Sequence, residues 1–187
     1  LNNYDFTIIS NNCWGGVIYE HFNLPKLSPT VGVYFYAKEY LKFISNLRHY
    51  LSCDLQFICT SESKYAQAFA IKHQEKTPIG ILDDVEIVFL HYPNTKSAYD
   101  KWNRRLDRIN FDNLIVKFSE QNLCAEEDLY TFDALPFKKK IIFTRKVYPD
   151  LKNAICLPNY ENEDSLLSDI HEYRHEMKRI LKVINEN

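Results

Sequence analysis

The stretch Asp5-Phe6-Thr7-Ile8-Ile9-Ser10-Asn11-Asn12-Cys13-Trp14-Gly15-Gly16 decides how the rest of the chain is read. Residues 6–9 form a short apolar run of the kind that makes a buried strand, and residues 14–22 carry a helical pattern. Between them lie polar residues and a glycine pair. A strand that passes through such a turn into a helix is the repeating unit of α/β sheets, and the turn is where those sheets hold ligands. It also sets the Cys13 thiol near a helix N-terminus, where the helix dipole favours a thiolate.

Outward from this unit, apolar runs alternate with amphipathic segments. Strands are expected over residues 31–35, 55–59, 85–90, 114–118, 140–144 and 154–157. Residues 37–51 read as one strong helix with Tyr40, Phe43, Ile44, Leu47 and Leu51 on a single face. Further helices are expected over 97–110, with Ser97 as cap, over 125–135 and over 164–185. Residues 65–71 fit either a short helix or an alternating strand, and Pro78-Ile79-Gly80 marks a break. This alternation predicts an α/β fold, three-layered α/β/α with a largely parallel sheet, as a single domain over 1–187. A boundary between two small subdomains, if present, falls near residues 60–84.

Bulk properties exclude several function classes. Among 187 residues, 45% are apolar and 26% charged, and the net charge is −2, so no basic field invites nucleic acid. No apolar run approaches the length of a transmembrane segment. Five cysteines, scattered at 13, 53, 59, 124 and 156, fit neither a disulfide framework nor a paired-cysteine zinc knot. Reduced thiols and a cytoplasmic location are expected. The chain starts at Leu1 without a Met, as if an upstream piece had been removed. The residues name no cofactor and no oligomeric state.

In an open parallel sheet the ligand crevice lies beyond the carboxyl ends of the strands. Taken to their tips, the expected strands present Asn11, Asn12 and Cys13, then Thr60, then His91 and Tyr92, then Ser119 and Glu120, then Thr144 and Arg145. If the 85–90 strand neighbours the first, Cys13 and His91 meet. A thiol beside an imidazole is the minimum for nucleophilic catalysis, with Asn11, Asn12, Asp83 or Asp84 as the group orienting the His. The helix after His91 carries Arg104, Arg105 and Arg108 on a face opposite Trp102, Leu106 and Ile109. Such a cluster binds phosphate or carboxylate, or else forms a solvated face. His171-Glu172-Tyr173-Arg174-His175 matches the zinc-protease spacing. Both histidines fall on the polar side of the expected helix and no third ligand follows, so no metal site is assigned.

Several segments together resemble a known family: Ser10-Asn11-Asn12-Cys13-Trp14-Gly15-Gly16, Ser28-Pro29-Thr30-Val31-Gly32, Pro78-Ile79-Gly80-Ile81-Leu82-Asp83-Asp84-Val85, His91-Tyr92-Pro93, and Lys101-Trp102-Asn103-Arg104-Arg105-Leu106-Asp107-Arg108-Ile109-Asn110. The chain resembles a bacterial domain of unknown function associated with exopolysaccharide biosynthesis. That resemblance implies an α/β/α fold and a setting in capsule or exopolysaccharide assembly, and supplies no reaction. More loosely, the order of Cys13-Trp14, Ser-Pro, His-aromatic and Arg-Arg is similar to a papain-like cysteine peptidase family. The expectation is therefore an enzyme that modifies or transfers a sugar or acyl group. Cys13 and His91 are its catalytic pair, Asn11 and Asn12 bind substrate, and Arg104, Arg105 and Arg108 hold an anionic part of it. The alternative is a non-catalytic component of the same pathway that binds a glycan or a protein.

Overall fold

In the computed structural model the described residues are 4–166, 168–170 and 172–186. Four parallel strands form the main sheet in the order β1 (Thr7–Ser10), β5 (Leu114–Ser119), β6 (Lys139–Thr144) and β7 (Ala154–Cys156). A second, antiparallel sheet holds β2 (Gln56–Ile58), β3 (Ile79–Leu82) and β4 (Val85–Val88). The helices are α1 (Trp14–His21), α2 (Ala37–Ser45), α3 (Leu47–Ser52), α4 (Ala66–Ile71), α5 (Thr95–Leu106), α6 (Glu126–Asp133) and α7 (Met177–Asn185).

Strand alternation sorts the main sheet's side chains into two cores. Ile9, Val116, Phe118 and Ile142 share one cluster with α2, α5, α6 and the inner side chains of the small sheet, among them Leu82, Val85, Ile87 and Phe89. Ile8, Ile115, Ile141 and Phe143 share the other with α1 and α7. Helices therefore cover both faces, as expected for parallel strands buried on both sides.

The strands over 55–59 and 85–90 form, but not in the main sheet. Only Asp83-Asp84 separates β3 from β4, with Leu82 opposite Val85. A two-residue connection makes a hairpin, whereas a parallel pair needs a crossover of a dozen residues or more. The strand expected over 31–35 is reduced to a connector. Tyr34 exchanges backbone hydrogen bonds with Val88 of β4, and the Phe35 N–H donates to Asn11 O at 2.9 Å. Gly32 breaks the extension with φ 81°, and a Cβ there would sit 3.0 Å from the Tyr92 ring. The single helix expected over 37–51 is broken at Asn46 (φ −138°) into α2 and α3. The cap of α5 is Asn94, whose side chain accepts from the Ser97 N–H at 2.9 Å.

The helix expected from Asp164 begins later, as a 3-10 turn over Glu172–Glu176 that leads into α7. Residues 164–166 and 168–170 form an irregular strap instead, and two of their side chains are buried at the end of the sheet. Leu166 is in the second core, with its N–H on Glu120 O at 2.8 Å, and Asp169 is 1% exposed.

Candidate functional site

The carboxyl ends of β1 and β5 lie side by side, with Ser10 opposite Lys117, so the turns that follow them meet. Asn11 is a clasp between the two strands. Its amide donates to Ser119 O and its oxygen accepts from the Ser119 N–H, both at 3.0 Å. Asn12 is the hub next to it. Its oxygen accepts from Lys117 Nζ at 2.7 Å and from the Trp14 N–H at 3.1 Å, and its amide donates to Gln121 Oε1 at 2.7 Å and Asp169 Oδ2 at 2.8 Å.

Lys117 alternates with Val116 and Phe118, which puts it on the α1 side of the sheet. Its ammonium lies 5.6 Å from the Trp14 ring and 5.4 Å from the Phe143 ring. It pairs with Asp169 of the strap, and neither side chain reaches solvent. Asp169 Oδ2 also accepts from the Ser119 hydroxyl. Burial pulls the Lys117 ammonium below the usual lysine range, and the Asp169 charge offsets part of that. Burial opposes the Asp169 carboxylate, but Lys117, Ser119 and Asn12 outweigh it and hold the carboxyl below the usual range. The Asp169 carboxyl is therefore ionised near neutral pH. Asp169 Oδ1 is buried with no hydrogen-bond partner.

Above this network opens a cleft of about 530 Å³, lined by Asn12, Cys13, Tyr34, Tyr36, Gln121 and Asp169, with Lys72, Leu90 and Leu123 at its sides. Asn122 and Leu123 hold successive left-handed conformations, φ 55° and 62°, an uncommon geometry that gathers at ligand sites. The half-buried Cys13 Sγ points to Val33 O at 3.7 Å. Burial and then the Asp169 charge push its thiol up to about 11, against the pull of Lys117. These effects keep the thiol protonated, the reverse of what the helix dipole alone argues.

His91 is exposed on the turn after β4, with its N–H on Gly32 O at 3.2 Å. β4 is not a neighbour of β1, although Leu90 beyond its end lines the cleft together with Cys13. Among the described residues no hydrogen bond joins the His91 ring to Cys13, and His91 does not line the cleft.

The arginines separate as well. Arg105 is buried and donates to Val31 O at 3.1 Å and to the Tyr92 hydroxyl at 2.7 Å, so it holds the connector before β2 rather than a ligand. Arg104 and Arg108 are exposed, Arg108 reaching Lys26 O at 3.4 Å, and none of the three lines the cleft. His171 lies outside the described residues. His175 is exposed, 3.9 Å from Glu172.

Sequence reasoning missed Lys117 and Asp169. Lys117 does leave a signal: it is a single charge inside Leu-Ile-Val-Lys-Phe, a strand otherwise apolar on both faces. Asp169 leaves none, being one acid in a charged segment.

Fold and site together define an α/β protein with a cleft at the carboxyl edge of a parallel sheet. The chain belongs to the family described as domain of unknown function DUF1919, whose model matches residues 1–185. It is 35% identical over 173 residues to a Haemophilus influenzae protein described as uncharacterized, a match covering 92% of this chain and 77% of that protein.

Proposed function

We propose that this chain is a sugar-handling protein of surface-polysaccharide assembly, and that the cleft over Lys117 and Asp169 receives a polyhydroxylated unit of the glycan. The Asp169 carboxylate carries the reading. One oxygen is saturated by Lys117, Ser119 and Asn12, while the other is buried at the cleft without a donor. Leaving such an oxygen unpaired costs on the order of 1–3 kcal/mol, and a ligand hydroxyl relieves it. The amide of Gln121 adds a further polar group on the same wall. The motif resemblance supplies the polysaccharide setting.

A second reading keeps Cys13 as the nucleophile of a sugar or acyl transfer. One observation favours it: Asp169 raises the thiol pKa and Lys117 lowers it. A ligand that draws Asp169 away removes one of the two effects that raise the thiol, leaving burial opposed by Lys117, and moves the thiol toward thiolate.

Calorimetric titration with glucose, galactose, mannose and N-acetylglucosamine tests the first reading. Binding of at least one sugar, lost in Asp169→Asn and weakened in the milder Gln121→Ala, is expected. No binding by any of the four overturns it. Loss of polysaccharide production in Cys13→Ala with sugar binding intact is expected on the second reading, and full complementation by Cys13→Ala rules that reading out.

A further inference from the structure

Lys72 and Asp169 are the charged residues among the described residues that line the cleft. Asp169 is neutralised by Lys117. Lys72 has no such counterpart. It follows α4, exposed, and its ammonium lies 5.7 Å from the Tyr34 ring and 5.6 Å from the Tyr36 ring. No carboxylate lies within ion-pair distance of it among the described residues.

Ring faces hold a cation by their quadrupole without cancelling its charge. The two rings are themselves fixed. Tyr36 stacks on Tyr65 with centroids 3.8 Å apart, and the Tyr34 hydroxyl donates to Gln74 Oε1 at 3.1 Å. The Tyr36 hydroxyl, also at the cleft, is buried against the Tyr34 hydroxyl. The cleft thus has a neutral, hydrogen-bonding floor and a single uncompensated positive charge on its wall. Arg104, Arg105 and Arg108 do not supply that charge, because they lie elsewhere.

From this arrangement we infer that the ligand is an acidic sugar, one bearing a phosphate or carboxylate group. Its hydroxyls face Asp169 Oδ1 and the Tyr36 hydroxyl, and its anionic group is held by Lys72. The inference rests on the sugar-handling reading of the same cleft and names the class of sugar.

The test compares glucose, glucose 1-phosphate, glucuronate and inorganic phosphate by calorimetry on the wild-type chain, Lys72→Gln, Lys72→Arg and Asp169→Asn. The wild type is expected to bind glucose 1-phosphate or glucuronate about fivefold to tenfold more tightly than glucose, the scale of one charge-assisted hydrogen bond. Lys72→Gln is expected to bring the affinity for the acidic sugars down to that for glucose, and Lys72→Arg to restore the preference. Equal affinity for neutral and acidic sugars, or a preference that survives in Lys72→Gln, overturns the inference and leaves the sugar reading standing. Inorganic phosphate binding as tightly as glucose 1-phosphate also overturns it, since the sugar then contributes nothing. Sugar affinities unchanged in Asp169→Asn, or no binding of glucose and both acidic sugars, overturn the sugar reading and the inference with it.

Discussion

The Asp169 carboxylate reaches from the strap before α7 to the Lys117 ammonium on β5, 52 residues away in sequence, and neither group touches solvent. Because each charge is desolvated, removing one leaves the other stranded. Lys117→Met is therefore expected to cost about 3–5 kcal/mol. The double replacement Lys117→Met with Asp169→Leu is expected to lose clearly less than the single one. Urea denaturation measures both, and losses that simply add would show that the pair is not coupled.

The same pair sets an acid dependence. The Asp169 carboxyl is held below its ordinary value, so its contribution to stability is complete above about pH 4 and disappears as pH falls through the depressed folded value. The stability gap between wild type and Asp169→Asn should be constant from pH 7 down to about pH 5 and narrow below about pH 4. A gap that stays flat to pH 2 contradicts the assignment.

Alkylation of Cys13 by iodoacetamide, followed peptide by peptide by mass spectrometry, should rise with a midpoint near pH 11. The exposed Cys59 serves as the internal reference. Asp169→Asn removes an effect that raises the thiol pKa, so the midpoint should move down and the reaction at pH 8 should quicken. An unshifted midpoint would place Asp169 outside the thiol's electrostatic reach.

Three arginines that look alike in sequence should behave differently. Arg105→Ala leaves the Tyr92 hydroxyl without its buried donor, while Val31 O keeps the Tyr92 hydroxyl, and about 2 kcal/mol of stability should be lost. Arg104→Ala and Arg108→Ala are expected to stay within about 0.5 kcal/mol of wild type by thermal or urea unfolding. The cap of α5 gives a similar contrast, with Asn94→Ala costing about 1 kcal/mol and Ser97→Ala much less.

The parallel sheet was legible because β1, β5, β6 and β7 are short apolar runs whose core-facing residues need no distant partner to be recognised. The Asn-Asn-Cys turn stands out as a ligand position for the same reason: it follows a buried strand and opens a helix. β3 was missed because Pro78-Ile79-Gly80 reads as a break, and with it went the hairpin that Asp83-Asp84 makes with β4. Asp169 left no signal. The helical spacing of Leu167, Ile170 and Tyr173 starts the helix too early, and no local pattern in the sequence joins Asp169 to Lys117. The partners of Arg105 were hidden for a related reason: periodicity places a guanidinium on a helix face and does not say that Val31 O and Tyr92 wait there.

The hydrogen bond between Asn12 and Asp169 spans 157 residues. Contacts between such distant segments form late, after the chain between them has been ordered. The cleft floor therefore depends on a residue made 157 positions after the turn it closes, and a chain truncated before Asp169 lacks the counter-charge above Lys117.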